Sequence, residues 1–228
     1  MKITLIGHGA MGQLIERLAT KKGHTIEAVI DHPFAANEIA ARVSGSDVAI
    51  DFTTAEAVRR NVEACLIAGV PLVEGTTGWN EQRDQIEELV RNSQGSLVFG
   101  ANFSIGVNLF YRVADFAAEL FAKFPEYEAF IEEQHHSRKK DAPSGTALKL
   151  KEVVSRHIAN DFSVSATRAG NIPGTHRVGF DGPADQILLE HTARSREGFA
   201  SGAILAAEWI VGKKGFYEFT DVIEEVIG

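Results

Sequence analysis

Six residues near the amino terminus, Gly7-His-Gly-Ala-Met-Gly12, leave this chain few folds to choose from. They follow a short apolar run, Ile3, Leu5 and Ile6, that reads as a buried strand. They open a segment in which Met11, Leu14, Ile15 and Leu18 recur at helical spacing. Strand, glycine turn and helix in that order begin a parallel α/β sheet that binds a dinucleotide. In that frame Gly7 makes the tight turn, Gly9 lets a pyrophosphate approach the backbone, and Gly12 lets helix and strand pack closely. His8, Ala10 and Met11 belong to the same cradle. The next strand, Thr25 to Ile30, ends at Asp31, nineteen positions after Gly12. That is where a carboxylate holds the adenosine ribose diol. It also repels a 2′-phosphate, and no arginine or lysine follows until Arg42, so the pattern favours NAD over NADP. The alternatives are a tight turn without a ligand for the glycines, and a cap beside His32-Pro33 for Asp31.

The alternation continues. Asp47 to Phe52 reads as a buried strand, Ala55 to Ala68 as a helix, Pro71 to Glu74 as a strand, Asn80 to Asn92 as a helix, and Ser96 to Phe99 as a fifth strand. Such a pattern predicts a Rossmann-type parallel sheet with helices on both faces. Ligands of that architecture lie at the carboxyl ends of strands. There the sequence has Gly75, Thr76 and Thr77, and then Gly100, Ala101, Asn102 and Phe103, which are candidates to border a nicotinamide. Glycine and threonine are also ordinary loop residues.

After residue 103 the order changes. Ser104 to Phe124 reads as one long apolar helix and Glu126 to Gln134 as a strand. A helix from Ser144 follows, with Ala147, Leu150, Val153, Val154 and Ile158 on one face. Three strand-like runs then cluster, Ser163 to Arg168, Thr175 to Phe180 and Gln186 to Ala193. Clustered strands after alternating ones predict an inserted α+β domain built on a mixed sheet. From Gly198 a helix, a short strand at Gly215 to Thr220 and a helix at Asp221 to Ile227 return to the first domain. The expected division is 1–103 plus 197–228 for the dinucleotide-binding domain and 104–196 for the second.

Composition removes other classes. With 228 residues and a net charge of −8, the chain lacks the basic face of a nucleic-acid binder. Its apolar start is stopped by Gly7, too short for a signal peptide or a membrane span, so a cytoplasmic protein is expected. Cys65 is the single cysteine, which excludes an intrachain disulfide and reads as a buried structural thiol.

One stretch concentrates chemistry: Glu133-Gln-His-His-Ser-Arg-Lys-Lys-Asp-Ala-Pro-Ser-Gly-Thr146. Two histidines and three cations stand beside a turn and a helix start in an otherwise acidic chain. Imidazoles move protons near neutral pH, lysine and arginine hold negative charge, and the first turn of a helix offers N–H groups to a carboxylate. The stretch predicts a pocket for a small acidic substrate; the alternative is a solvated basic loop. Adjacent histidines point apart and no third ligand follows at zinc-like spacing, so no metal is expected.

On Gly7-His-Gly-Ala-Met-Gly12, Asp51-Phe-Thr53, Gly75-Thr-Thr-Gly78, Ala101-Asn-Phe-Ser104 and His135-His-Ser-Arg-Lys-Lys-Asp-Ala-Pro-Ser-Gly-Thr146, the chain resembles the 4-hydroxy-tetrahydrodipicolinate reductase (dihydrodipicolinate reductase) family of lysine and diaminopimelate synthesis. The resemblance spans nearly the whole length. Two departures stand out: the segment between Asp31 and Asp47 is short, and Asp31-His32 lacks the basic residue that some members use for NADP. The resemblance implies a cyclic imine dicarboxylate that accepts hydride at ring carbon 4, NADH as the preferred donor with NADPH as an alternative, and domain closure before chemistry. It implies His135 as acid/base residue, Lys139 as proton donor, His136 in contact with substrate, and Gly145 and Thr146 on one carboxylate. It also implies a homotetramer joined through the sheet of the second domain. Arg138 and Lys140 are given no role. The rival readings are another nicotinamide reductase, such as a diaminopimelate dehydrogenase, and a non-enzymatic NAD sensor. The sensor would need a DNA-binding module or partner helix, and the sequence offers neither.

Overall fold

The structure is a computed structural model that describes all residues, 1–228. It contains two compact units, Met1–Ile105 with Glu197–Gly228, and Gly106–Arg196.

The first unit is built on β1 (Lys2–Ile6), β2 (Thr25–Ile30), β3 (Val48–Asp51), β4 (Leu72–Glu74), β5 (Ser96–Phe99) and β10 (Gly215–Glu218). They form one sheet in the order β10-β5-β4-β3-β1-β2, with every neighbouring pair parallel. A parallel sheet must be covered on both faces, and β3, β4 and β5 are buried at every residue. Ile15 and Ala19 of α1 (Ala10–Lys21), Ala203, Ile204 and Ala207 of α7 (Glu197–Ile210), and Phe219 and Val222 of α8 (Phe219–Ile227) share one core cluster. Ile39 and Val43 of α2 (Ala36–Val43), Val58, Val62 and Cys65 of α3 (Ala55–Ala68), and Ile86 and Val90 of α4 (Arg83–Asn92) share the other. Small residues let α7 lie close: a Cβ on Gly202 would stand 1.8 Å from the Phe103 carbonyl oxygen.

Between Asp31 and Asp47, where periodicity predicts no element, the chain forms α2. It is two turns long, too short for a repeat to show, and it is held by Glu38 Oε2, which accepts from the Ala35 N–H at 3.1 Å. The last strand stops at Glu218 instead of Thr220, because Phe219 turns into the core as the first residue of α8. Cys65 is fully enclosed and burial pushes its thiol up, so it stays neutral packing.

The second unit holds α5 (Ile105–Phe121), β6 (Glu128–His135), α6 (Gly145–Ser155), β7 (Ser163–Arg168), β8 (Thr175–Asp181) and β9 (Gln186–Thr192). The sheet order is β7-β6-β8-β9, with β6–β7 parallel and the other two pairs antiparallel. This is the mixed sheet expected of an α+β unit. Phe110, Ala114 and Ala118 of α5 and Leu150 and Val154 of α6 share a core with Ile131, Val178 and Phe180. The Phe121 and Phe180 rings stack at 4.3 Å between centroids. No helix in either unit is long and apolar enough to cross a membrane.

Candidate active site

Register builds the chemistry of the second unit. Along β6 every second residue is buried, Ala129, Ile131, Glu133 and His135, so the apolar face of the strand changes to ionisable groups at its carboxyl end. Antiparallel pairing sets Ala129 opposite Phe180, Ile131 opposite Val178, and Glu133 opposite His176. Parallel pairing sets His135 opposite Arg168. Three strands therefore bring Glu133, His135, Arg168 and His176 to one end of one face.

The Glu133 side chain is wholly enclosed; Oε1 is hydrogen-bonded, while Oε2 has only the nearby imidazoles and no hydrogen bond. Oε1 accepts from Arg168 Nη2 at 2.6 Å and from the Ser144 N–H at 2.9 Å. Oε2 stands 2.6 Å from His135 Nδ1 and 3.9 Å from His176 Nε2. The His135 and His176 rings meet edge to face at 5.0 Å, and His176 Nε2 lies 3.1 Å from Ser144 Oγ. Burial alone would raise the Glu133 carboxyl, but the hydrogen bonds from Arg168 and Ser144 outweigh it and hold it below its ordinary value. Burial lowers His135, aided by the charges of Lys139 and Arg168 and opposed by Glu133. His176 is pushed down to about 4, first by burial and then by His135. His176 is therefore neutral near pH 7.

The loop after β6 holds the other expected groups. Lys139 Nζ pairs with Asp141 Oδ1 at 2.9 Å and keeps about a quarter of its side chain exposed, at 26%. Arg168 Nη2 also donates to the Asp141 carbonyl at 2.5 Å, which ties this loop to β7. The His136 carbonyl accepts from the Lys139 N–H at 3.1 Å, a turn that follows the half-buried His136. Arg138 donates to Asn171 Oδ1 at 3.0 Å, while Lys140 is exposed.

Ser144 caps α6: its Oγ accepts from the Ala147 N–H at 3.2 Å. No helical carbonyl reaches the N–H groups of Gly145 and Thr146, since they open the first turn. A Cβ on Gly145 would meet nothing within 4 Å, so the fold itself does not demand glycine there. The Thr146 hydroxyl bonds to Tyr111, whose phenol burial pushes up to about 12.

Glu133, His135 and His176 also present one ligand-type atom each within 4.8 Å of one another. Spacing along the chain misses this set because the third group arrives from β8. One carboxylate oxygen is already taken by Arg168 and Ser144, and a dication would face the fixed guanidinium. The cluster is a hydrogen-bonded charge network, and no metal is assigned to it.

The first unit holds the glycine cradle. Gly7 has φ +87°, and a Cβ there would meet the Phe52 carbonyl oxygen at 2.4 Å; on Gly12 it would meet the Gly7 carbonyl oxygen at 2.2 Å. Gly9 differs, because its φ is −69° and its Cβ would meet nothing within 4 Å. Turn and packing explain Gly7 and Gly12, while open space in front of Gly9 suits a diphosphate. Asp31 Oδ1 accepts from the His8 N–H at 3.0 Å, and His8 Nε2 lies 2.6 Å from Glu16 Oε2. Ala10 and Met11 are the first two residues of α1. Arg42, the first cation after Asp31, sits 3.9 Å over the Phe34 ring and donates to the Glu38 carbonyl.

At the neighbouring strand ends, Thr76 is spent on structure: its Oγ1 accepts from the Thr53 N–H at 3.0 Å and its carbonyl from Trp79 Nε1 at 2.8 Å. Thr77 is exposed and Gly75 lies against Phe52. Asn102 Oδ1 accepts from the Ser104 N–H at 2.8 Å. Gly100 is buried, Ala101 is exposed, and Phe103 is a core residue 4.7 Å from the Phe219 ring, so only its backbone can meet a ligand. Beneath this end lie two enclosed carboxyl groups, Asp51 of the Asp51-Phe-Thr53 motif and Glu74, whose meeting no motif announces.

Comparison with known proteins covers both units. Residues 1–103 match the family model described as dihydrodipicolinate reductase, N-terminus, and residues 106–223 match dihydrodipicolinate reductase, C-terminus. A 4-hydroxy-tetrahydrodipicolinate reductase of Christiangramia forsetii is 33% identical, with 99% of each chain covered. One of Archaeoglobus fulgidus is 35% identical, with 98% of this chain and 100% of the relative covered. Among solved structures, a dipicolinate-bound dihydrodipicolinate reductase from Paenisporosarcina sp. TG-14 superposes with a TM-score of 0.79 at 24% identity, covering 96% of this chain and 97% of the other.

Proposed function

The chain belongs to the dihydrodipicolinate reductase family, and from that premise we propose which of its residues carry the reaction and which nicotinamide cofactor it takes. The activity is the oxidoreductase step of lysine and diaminopimelate biosynthesis that reduces 4-hydroxy-tetrahydrodipicolinate, through dihydrodipicolinate, to tetrahydrodipicolinate. The bound nicotinamide supplies the hydride. In the second unit His135 is the acid/base residue, Lys139 donates the proton that the carbon next to the reduced one must receive, and His136 contacts the substrate. Gly145 and Thr146 hold one carboxylate at the start of α6. The observation that carries this reading is the unforced glycine: position 145, the first residue of α6, is open where the helix begins after the loop that follows the His135 network.

In the first unit Gly7, His8, Gly9, Ala10, Met11 and Gly12 cradle the diphosphate and Asp31 takes the ribose. Backbone at Gly75, Thr76, Thr77, Gly100, Ala101, Asn102 and Phe103 borders the nicotinamide. NADH is the preferred donor and NADPH the alternative, since Asp31 repels a 2′-phosphate and Arg42 is engaged with Phe34 and Glu38. Steady-state oxidation of NADH and NADPH, side by side, on enzymatically generated dihydrodipicolinate tests substrate and cofactor together. Absence of turnover with both would sink the assignment, and equal kcat/KM would sink the preference.

The open face of the four-stranded sheet carries Leu188, 46% exposed, and supports a homotetramer joined there. Light scattering on the purified chain tests that assembly. A cytoplasmic location completes the reading, and fractionation of the source cells checks it.

A further inference from the structure

A carboxylate at a fully buried strand position is costly unless every oxygen is engaged. Glu133 Oε1 is satisfied by Arg168 and by the Ser144 N–H, which clamp the group from β7 and from the cap of α6. Oε2 faces two imidazoles, and His135 Nδ1 at 2.6 Å is far closer than His176 Nε2 at 3.9 Å. His176 Nε2 has its own partner in Ser144 Oγ. The contact has ion-pair distance without the angle of an in-line hydrogen bond, and since a carboxylate only accepts, hydrogen on Nδ1 is what makes so close an approach favourable. The opposite edge of His135 borders Gly174, where a Cβ would stand 3.1 Å from Nε2 and 3.3 Å from Cδ2. Gly174 has φ +140°, so both backbone and space reserve that position for glycine, and its bareness keeps the Nε2 edge uncovered.

Resting on the reading of His135 as the acid/base residue, we propose that Glu133 is its positioning residue: clamped by Arg168 and Ser144, it fixes the hydrogen on Nδ1 and leaves Nε2 as the proton-exchanging nitrogen. The groups that face His135 are Glu133 on its own strand, Lys139 on the following loop, itself paired with Asp141, Arg168 on β7 and His176 on β8. Of these, the Glu133 carboxylate is the charge that raises the His135 pKa, against burial, Lys139 and Arg168. Removing it lets the cations act unopposed.

Two measurements on the full chain test this. In the parent protein, nitrogen NMR of labelled histidine is expected to show neutral His135 with hydrogen on Nδ1; hydrogen on Nε2 overturns the proposal. For Glu133→Gln, kcat is expected to fall about tenfold or more while KM for NADH holds, as when an orienting carboxylate is lost. The limb of the pH–kcat profile that belongs to His135 is expected to move to lower pH, and Glu133→Asp to recover part of the rate. An unshifted limb, with loss confined to thermal stability, assigns Glu133 a structural role and overturns the proposal. If Glu133→Gln does not fold, the tautomer decides alone. Failure of the parent to reduce dihydrodipicolinate would instead defeat the functional reading and leave the tautomer result standing.

Discussion

Glu74→Gln is expected to stabilise this protein increasingly as the pH rises. Glu74 and Asp51 are both fully enclosed, at the ends of the adjacent strands β4 and β3. Glu74 Oε1 accepts from the Thr76 N–H at 2.7 Å, and Asp51 Oδ2 accepts from Asn61 Nδ2 at 2.7 Å. The remaining oxygens, Glu74 Oε2 and Asp51 Oδ1, have no donor from any other group. A single proton between the two carboxyl groups satisfies both. Burial and then the charge of Asp51 raise Glu74 well above 4.5, so Glu74 carries that proton. Burial also raises Asp51, against its hydrogen bonds from Asn61 and Thr53.

The sign follows from linkage. A raised native pKa contributes stability that is fully present below the unfolded value, 4.5, and is lost as the pH rises through the native one. One extra proton in the native state makes that loss about 1.4 kcal/mol per pH unit. Glutamine reproduces the protonated acid, with a carbonyl for Thr76 and an N–H for Asp51, and does not titrate. The two proteins should therefore match below about pH 4.5 and diverge by about 1.4 kcal/mol per unit above it, until the pH passes the raised native value and the gap becomes constant. For a chain of this size the gap in Tm grows by roughly 3 to 6 °C per unit. Tryptophan fluorescence isolates the effect, because Trp79 and Trp209, the only two, both belong to the first unit. Parallel curves of Tm against pH, or a glutamine variant weaker at every pH, would refute the shared proton.

Lys139→Ala should lower kcat by about a hundredfold, the usual loss of a general acid, with the Kd for NADH nearly unchanged; equal loss of NADH binding would show the loop to be structural. Gly145→Ala adds a methyl group into open space, so Tm should hold while KM for the dicarboxylate rises, and an unchanged KM would remove Gly145 from the carboxylate site. Gly9→Ala and Gly12→Ala should separate in the same way: the first weakens NADH binding in a stable protein, whereas the second lowers Tm because its Cβ meets the Gly7 carbonyl oxygen at 2.2 Å. Phe180→Ala should cost about 3 to 5 kcal/mol in chemical denaturation, since it removes a fully buried ring stacked on Phe121.

Local signals were enough for the alternating strands and helices of the first unit, for the glycine turn and for the helix start at Ser144, because each depends on residues within a few positions of one another. The eight residues of α2 were too few to show a period. Within Glu133 to Thr146 the histidines and lysines announced themselves by type. Glu133 left only a faint mark, a charge in phase with the buried residues Ala129 and Ile131. Arg168 and His176 left none, since they join the site only through the register of β7 and β8 on β6. Asp51 stands in a quoted motif, but its pairing with Glu74 is silent, as two acids 23 positions apart meet only when parallel strands align their ends. Chain-local chemistry, then, was determined by the sequence itself: where elements begin, which loops bare their backbone, which types of side chain gather. Tertiary structure alone decided which carboxylate each histidine faces and which acid keeps its proton, because burial and charge act through space between residues that the chain keeps far apart.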